Sequence, residues 1–142
     1  MPEADSQPPV RVLVAGSAEG PVMALDEPLS FWGGLDPETG LIIDHHHPQV
    51  GQSVSGSILV MHAGRGSSSA SSVLAEAIRL RTAPSAIVLR EVDEIIVIGA
   101  VVADELYGVA TPVVVVDEAT FTRLISASSA HVSPDGQIRI TN

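Results

Sequence analysis

Six consecutive residues, Gly64-Arg65-Gly66-Ser67-Ser68-Ser69, combine the types needed to bind an anion and to move a proton. They stand between an apolar run at 57–61 and a segment in which Val73, Leu74, Ala77, Ile78 and Leu80 recur at helical spacing. A glycine-rich turn between a strand and a helix brings backbone amides close to a ligand, and the helix dipole adds positive potential at the same point. A carboxylate or phosphate suits such a place. Arg65 adds the prospect of a bidentate contact, and a serine hydroxyl there, Ser67 first and Ser68 as the fallback, could have its alkoxide stabilised for proton transfer. Gly64, Gly66, Ser68 and Ser69 would complete the substrate contacts. The competing reading is architectural: Ser67 or Ser68 caps the helix and the glycines turn the chain.

Two phosphate-loop readings fit less well. A mononucleotide loop needs Lys before Ser or Thr, and this chain has no lysine. The dinucleotide fingerprint is nearer, with Gly64-x-Gly66-x-x-Ser69 and Glu91 after the next strand, but its third glycine is a serine. His45-His46-His47 beside Asp44 invites a metal reading. Adjacent histidines on extended chain point to opposite faces, however, and known sites use wider spacing, so a polar loop or subunit contact fits better. His62, two residues before the glycine loop, is a candidate for proton transfer or for a structural role. Phe31-Trp32 suits a core or interface anchor, and Asp93, Glu94, Asp104 and Glu105 suit helix caps and solvated faces.

The elements that must position these residues follow from the patterning. Residues 1–9 are polar with three prolines and form a tail, and one domain spans 10–142. Strands are expected at 10–15, 22–25, 29–32, 41–43, 57–61, 86–89, 113–116 and 137–141. Helices are expected from the serine run to Leu80, from Asp93-Glu94 to Tyr107-Gly108, and over 118–126. Asp36-Pro37-Glu38-Thr39-Gly40 and Ser133-Pro134-Asp135-Gly136 are turns. The second half alternates strand and helix, which right-handed crossovers build into a parallel sheet, and the first half supplies strands without helices. The expected class is α/β with a mixed, largely parallel sheet, sheet on sheet with helices outside.

Composition narrows the function. The 142 residues carry 7 Arg against 17 acidic groups, a net charge of -10, which disfavours nucleic acid and anionic membranes. Without cysteine the chain has no thiol nucleophile and no ligand set for an iron–sulfur cluster. The longest apolar run, 95–103, is about half of what a spanning helix needs. A cytoplasmic protein acting on small molecules or proteins is expected.

The chain resembles the swivelling domain of the aconitase X family of hydro-lyases over most of residues 10–118. The likeness is carried by Phe31-Trp32-Gly33-Gly34-Leu35-Asp36-Pro37-Glu38-Thr39-Gly40, Ile43-Asp44-His45-His46-His47-Pro48, the Gly64–Ser71 segment and Pro84-Ser85-Ala86-Ile87-Val88-Leu89. It implies a swivelling β/β/α domain working as a small subunit beside, or fused to, a larger cysteine-bearing part that holds an iron or iron–sulfur centre. No cofactor or metal would be bound by this chain alone. The matching position makes Ser67 the base that removes a proton next to a carboxylate, with Arg65 holding substrate and the amides of Gly66, Ser67 and Ser68 supporting the anion. Asp44, His47 and His62 become loop contacts, and His45-His46 departs from the family's Asp-x-x-His-Pro loop. Arg65 with the serine triplet is similar to the branch acting on cis-3-hydroxy-L-proline, as are the 75–79 and 105–108 segments. The alternatives are the mevalonate 5-phosphate branch and a non-catalytic anion-binding module.

Overall fold

A computed structural model describes residues 9–64 and 66–142, so the expected tail at 1–8 and Arg65 lie outside the described residues. Four strands form the centre, β2 (Ala18–Ala24) and the apolar β3 (Ile58–Met61), β4 (Ala86–Leu89) and β5 (Val113–Val116), all parallel to one another. The helices α2 (Ala70–Leu80) and α3 (Glu94–Tyr107) make the crossovers β3-α2-β4 and β4-α3-β5. Antiparallel strands extend both edges, β1 (Val10–Val14) on β5 and the hairpin β6 (Ser129–Val132) and β7 (Ile138–Thr141) on β2, giving the order β1-β5-β4-β3-β2-β6-β7.

Instead of two separate sheets, one seven-stranded sheet curls on itself. The turn at Gly136 meets Val10 and Val12 of the far edge, so the concave face closes over Val60, Val88, Val114, Ala130 and Val132. Helix α4 (Glu118–Ile125) contributes Leu124 and Phe121 to that layer. The opposite face packs Leu59, Met61, Ile87 and Leu89 against α2 and α3. β3 and β4 are buried throughout, which is why they read as unbroken apolar runs.

Several expectations shift. β2 begins at Ala18, and β6 was not anticipated, because Ser129-Ala130-His131-Val132 hides its pattern in small and polar residues. The expected strand at 29–32 is one bridge, Leu29 to Gly64, followed by the single kinked turn α1 (Phe31–Gly34), where Gly33 has φ +77°. The expected strand at 41–43 holds only isolated bridges, Leu41 to Ser53 and Ile42 to Leu35. The 36–40 turn forms as expected: the Gly40 amide donates to Asp36 O, and Gly40 sits at φ +77° where a β-carbon would strike Ser55 Oγ and Thr82 O. Helix α2 starts at Ala70, so Ser69 takes the cap position that Ser67 or Ser68 was expected to fill, and its side chain makes no capping bond. Among the described residues no helix is long and apolar enough to cross a membrane.

Candidate active site

Loops leaving the carboxyl ends of the four parallel strands gather at one edge of the sheet, the place where open α/β sheets bind ligands. The segment after β2 carries Asp26 and Glu27, that after β3 carries His62 and the glycine–serine loop, that after β4 carries Arg90, Glu91 and Asp93, and that after β5 carries Asp117 and Glu118.

The glycine–serine loop is anchored at its start and open at its tip. Gly64 bridges Leu29 and lies against Asp93, where a β-carbon would collide with Asp93 Oδ2 and come within 3.0 Å of Ile96 Cδ1. Behind the loop Leu29, Phe31, Gly64, Gly66, Ala70, Asp93, Ile95 and Ile96 leave a void of only about 10 Å³. That volume holds at most one water, so a substrate can meet the loop only from its outer side. The amides of Ala70, Ser71 and Ser72 turn inward to Ser67 O, Ser68 O and Ser69 O at 2.9, 3.4 and 3.2 Å. By contrast, the amides of Gly66, Ser67 and Ser68 make no hydrogen bond among the described residues, nor does the Ser67 hydroxyl. Ser67 is half-buried, whereas Ser68 and Ser69 are exposed. Ser71 Oγ donates to Ser68 O at 2.9 Å and holds the last turn of the loop. The arrangement is a set of amides without a hydrogen bond among the described residues, at the amino end of an eleven-residue helix, with a hydroxyl among them.

The other expected residues fall into different roles. His62 Nε2 lies 2.6 Å from Glu91 Oε2, edge-on to Phe121, and its carbonyl accepts the amides of Arg90 and Glu91. It therefore ties the loops after β3 and β4 together. His47 is 3% exposed: its Nδ1 accepts the Gln49 amide at 3.0 Å, which assigns the proton to Nε2, the donor to Glu27 O at 3.0 Å. Asp44 Oδ1 accepts the His46 amide at 2.9 Å and shapes the same turn. His45 and His46 face solvent, and among the described residues no three His, Asp or Glu side chains converge as a metal site would require. With no cysteine in the chain either, these donors do not suit an iron–sulfur centre.

Residues that sequence reasoning passed over do much of the positioning. Gln49 donates Nε2 to Ala24 O at 2.8 Å and accepts the Asp26 amide, clamping the end of β2 to the 44–50 loop. Gly99 in α3 faces Ser71 O, so α3 presses directly on the first turn of α2. Asp117 caps α4, and the Thr120 hydroxyl, followed by its amide, holds the Asp117 carboxyl below its ordinary value. Only the mid-helix glycine and the acid before an apolar run hinted at any of this in the sequence. Of Phe31-Trp32, Phe31 is in the core at 1% exposure and Trp32 is 58% exposed.

A curled mixed sheet with two crossover helices, presenting a glycine–serine loop outward, defines a swivelling-domain architecture. The profile described as aconitase X swivel domain matches residues 8–140, and the chain belongs to that family. It is 45% identical over 130 residues to the cis-3-hydroxy-L-proline dehydratase of Pseudomonas aeruginosa, covering 92% of this chain and 22% of that one. It is 43% identical over 93 residues to the phosphomevalonate dehydratase small subunit of Methanothermobacter thermautotrophicus, covering 66% and 71%. The crystal structure of Thermococcus kodakaraensis aconitase X in its holo-form superposes with a TM-score of 0.78 at 35% identity, covering 93% of this chain and 95% of that one. The chain spans about a fifth of the length of the hydroxyproline dehydratases it matches.

Proposed function

We propose that this chain is the swivel-domain subunit of an aconitase X-type hydro-lyase that dehydrates cis-3-hydroxy-L-proline, working with a larger cysteine-bearing partner that holds the iron centre. The observation that carries the reading is the set of amides at Gly66, Ser67 and Ser68 that make no hydrogen bond among the described residues, with the Ser67 hydroxyl among them, on a loop with no substrate-sized space behind it. Such a half-site needs a second wall.

The charge of the rim supports the choice of substrate. Asp26, Glu27, Glu91, Asp93, Asp117 and Glu118 stand along it. Among the described residues on it, the Arg90 guanidinium is held by Val116 O and lies near Glu118, and the His62 ring is hydrogen-bonded to Glu91. A ring ammonium is attracted there and a phosphate repelled, so a zwitterionic imino acid fits better than mevalonate 5-phosphate.

In the reaction, Ser67 Oγ as the alkoxide takes the proton from the carbon bearing the carboxylate. The loop amides and Arg65 hold that carboxylate while charge builds on it. The ring double bond forms as the C3–O bond breaks, the hydroxyl leaves as water, and the enamine tautomerises to pyrroline-2-carboxylate. The acid that assists the leaving hydroxyl belongs to the partner's side of the cleft.

Co-expression with the larger subunit tests this, following loss of cis-3-hydroxy-L-proline under anaerobic, iron-replete conditions. Ser67→Ala is expected to lower kcat by about 10²–10⁴-fold, the usual worth of a positioned base, and Ser68→Ala by far less. Turnover by the isolated chain would refute the half-site reading. Turnover of mevalonate 5-phosphate instead of hydroxyproline would move the protein to the second branch, which the phosphomevalonate dehydratase small subunits favour. Anion binding unaccompanied by turnover in the complex would favour a binding module.

A further inference from the structure

We propose that Asp93 is a positioning residue whose two carboxylate oxygens couple the amino end of α3 to the glycine–serine loop. Oδ1 accepts the amides of Ile95 and Ile96 at 3.0 and 3.1 Å and caps the helix. Oδ2 is directed at Gly64, where it occupies the space that any β-carbon would take. Asp93 also walls the small void behind the loop, together with Gly66 and Ala70. The loop therefore rests on a rigid helix terminus at its first residue, Gly64. Six residues beyond Asp93, the contact of Gly99 with Ser71 O sets the far end of the loop by the same helix. A brace at both ends fixes the outward direction of the Gly66, Ser67 and Ser68 amides. Serine bases need placement within fractions of an ångström, and a shift of about 1 Å costs roughly a hundredfold in rate.

The inference rests on Ser67 being the working residue, and the test separates the two ideas by a readout that needs no turnover. Asp93→Ser keeps a capping hydroxyl but withdraws the oxygen from Gly64. Asp93→Asn keeps both the cap acceptor and the bulk. In the isolated chain, amide hydrogen exchange at Ala70, Ser71 and Ser72, which bond the loop carbonyls of Ser67, Ser68 and Ser69, is expected to rise about tenfold in Asp93→Ser, with Leu74, Ile78 and Ala100 unchanged, and to stay near wild type in Asp93→Asn. In the assembled enzyme, Asp93→Ser should lower kcat by about ten- to a hundredfold with KM nearly unchanged, and Asp93→Asn should restore most of it.

Unchanged loop exchange in Asp93→Ser overturns the brace, and so does an increase shared by the core amides, which would mean a plain loss of stability. If the wild-type complex turns over neither substrate, the proposed reaction fails while the exchange experiment still decides the brace.

Discussion

Replacing Gly99 with alanine sets two well-known effects against each other. Gly99 lies in the middle of α3, where alanine is favoured over glycine by about 0.8–1 kcal/mol of helix propensity. On propensity alone Gly99→Ala should stabilise the protein. The structure predicts the opposite sign, because the new methyl carbon would lie 2.8 Å from Ser71 O and 3.1 and 3.2 Å from Leu74 Cδ2 and Cβ. Leu74 is fully buried and the carbonyl is backbone, so neither can rotate away. Overpacking of this kind costs about 1–3 kcal/mol. Subtracting the propensity gain leaves a net loss of about 1 kcal/mol, or roughly 3–4 °C in Tm for a chain of this length.

The same displacement has a functional reach. Moving Ser71 O moves the first turn of α2, and Ser71 Oγ holds Ser68 O. Urea unfolding of the isolated chain, followed by far-ultraviolet circular dichroism, gives the stability directly. Activity of the assembled enzyme should fall in step with the loop shift. A Gly99→Ala variant as stable as wild type, or more stable, would refute the claim that α3 bears on the serine turn.

Three further outcomes follow from other parts of the molecule. His47→Phe leaves Glu27 O and the Gln49 amide without their partner and should cost about 2–4 kcal/mol, read as a lower urea midpoint with the slope unchanged. Asp117 has its carboxyl held below the ordinary value, so its contribution is present above the unfolded-state value and is lost as pH falls through the folded one. Asp117→Asn, which keeps the cap, should therefore flatten the drop in Tm as pH falls below about 4, whereas an unchanged acid limb would contradict the capping geometry. Trp32→Ala should leave the isolated chain's stability nearly unchanged, since the ring is largely exposed, but weaken association with the larger subunit about tenfold or more by sedimentation or titration.

Much of the fold could be read without coordinates. The uninterrupted apolar runs at β3, β4 and β5 are fully covered strands, and their alternation with α2 and α3 requires parallel order. Asp93 and Gly108 mark the ends of α3, and Asp36 to Gly40 is a turn, because these are local demands that each residue type meets within a few positions of itself. The glycine–serine loop was legible for the same reason, as was its place between strand and helix.

What the sequence could not show depends on residues far apart in the chain. β6 exists because β2 and β7 flank it, and its own four residues carry little strand preference. The curl that makes one sheet serve as two layers needs Gly136 to meet Val12, a contact spanning nearly the whole domain. The sequence read the histidine run as a polar loop or subunit contact, but burial against Glu27 and Gln49 gives His47 a structural role that its neighbours His45 and His46 do not share. Above all, the serine run was open to being a cap. Only the tertiary structure shows α3 leaning on this segment, through Asp93 at Gly64 and Gly99 at Ser71, and leaves the Gly66, Ser67 and Ser68 amides without a hydrogen bond among the described residues, because backbone course at a loop is set by what the chain leans on as well as by the residues it contains.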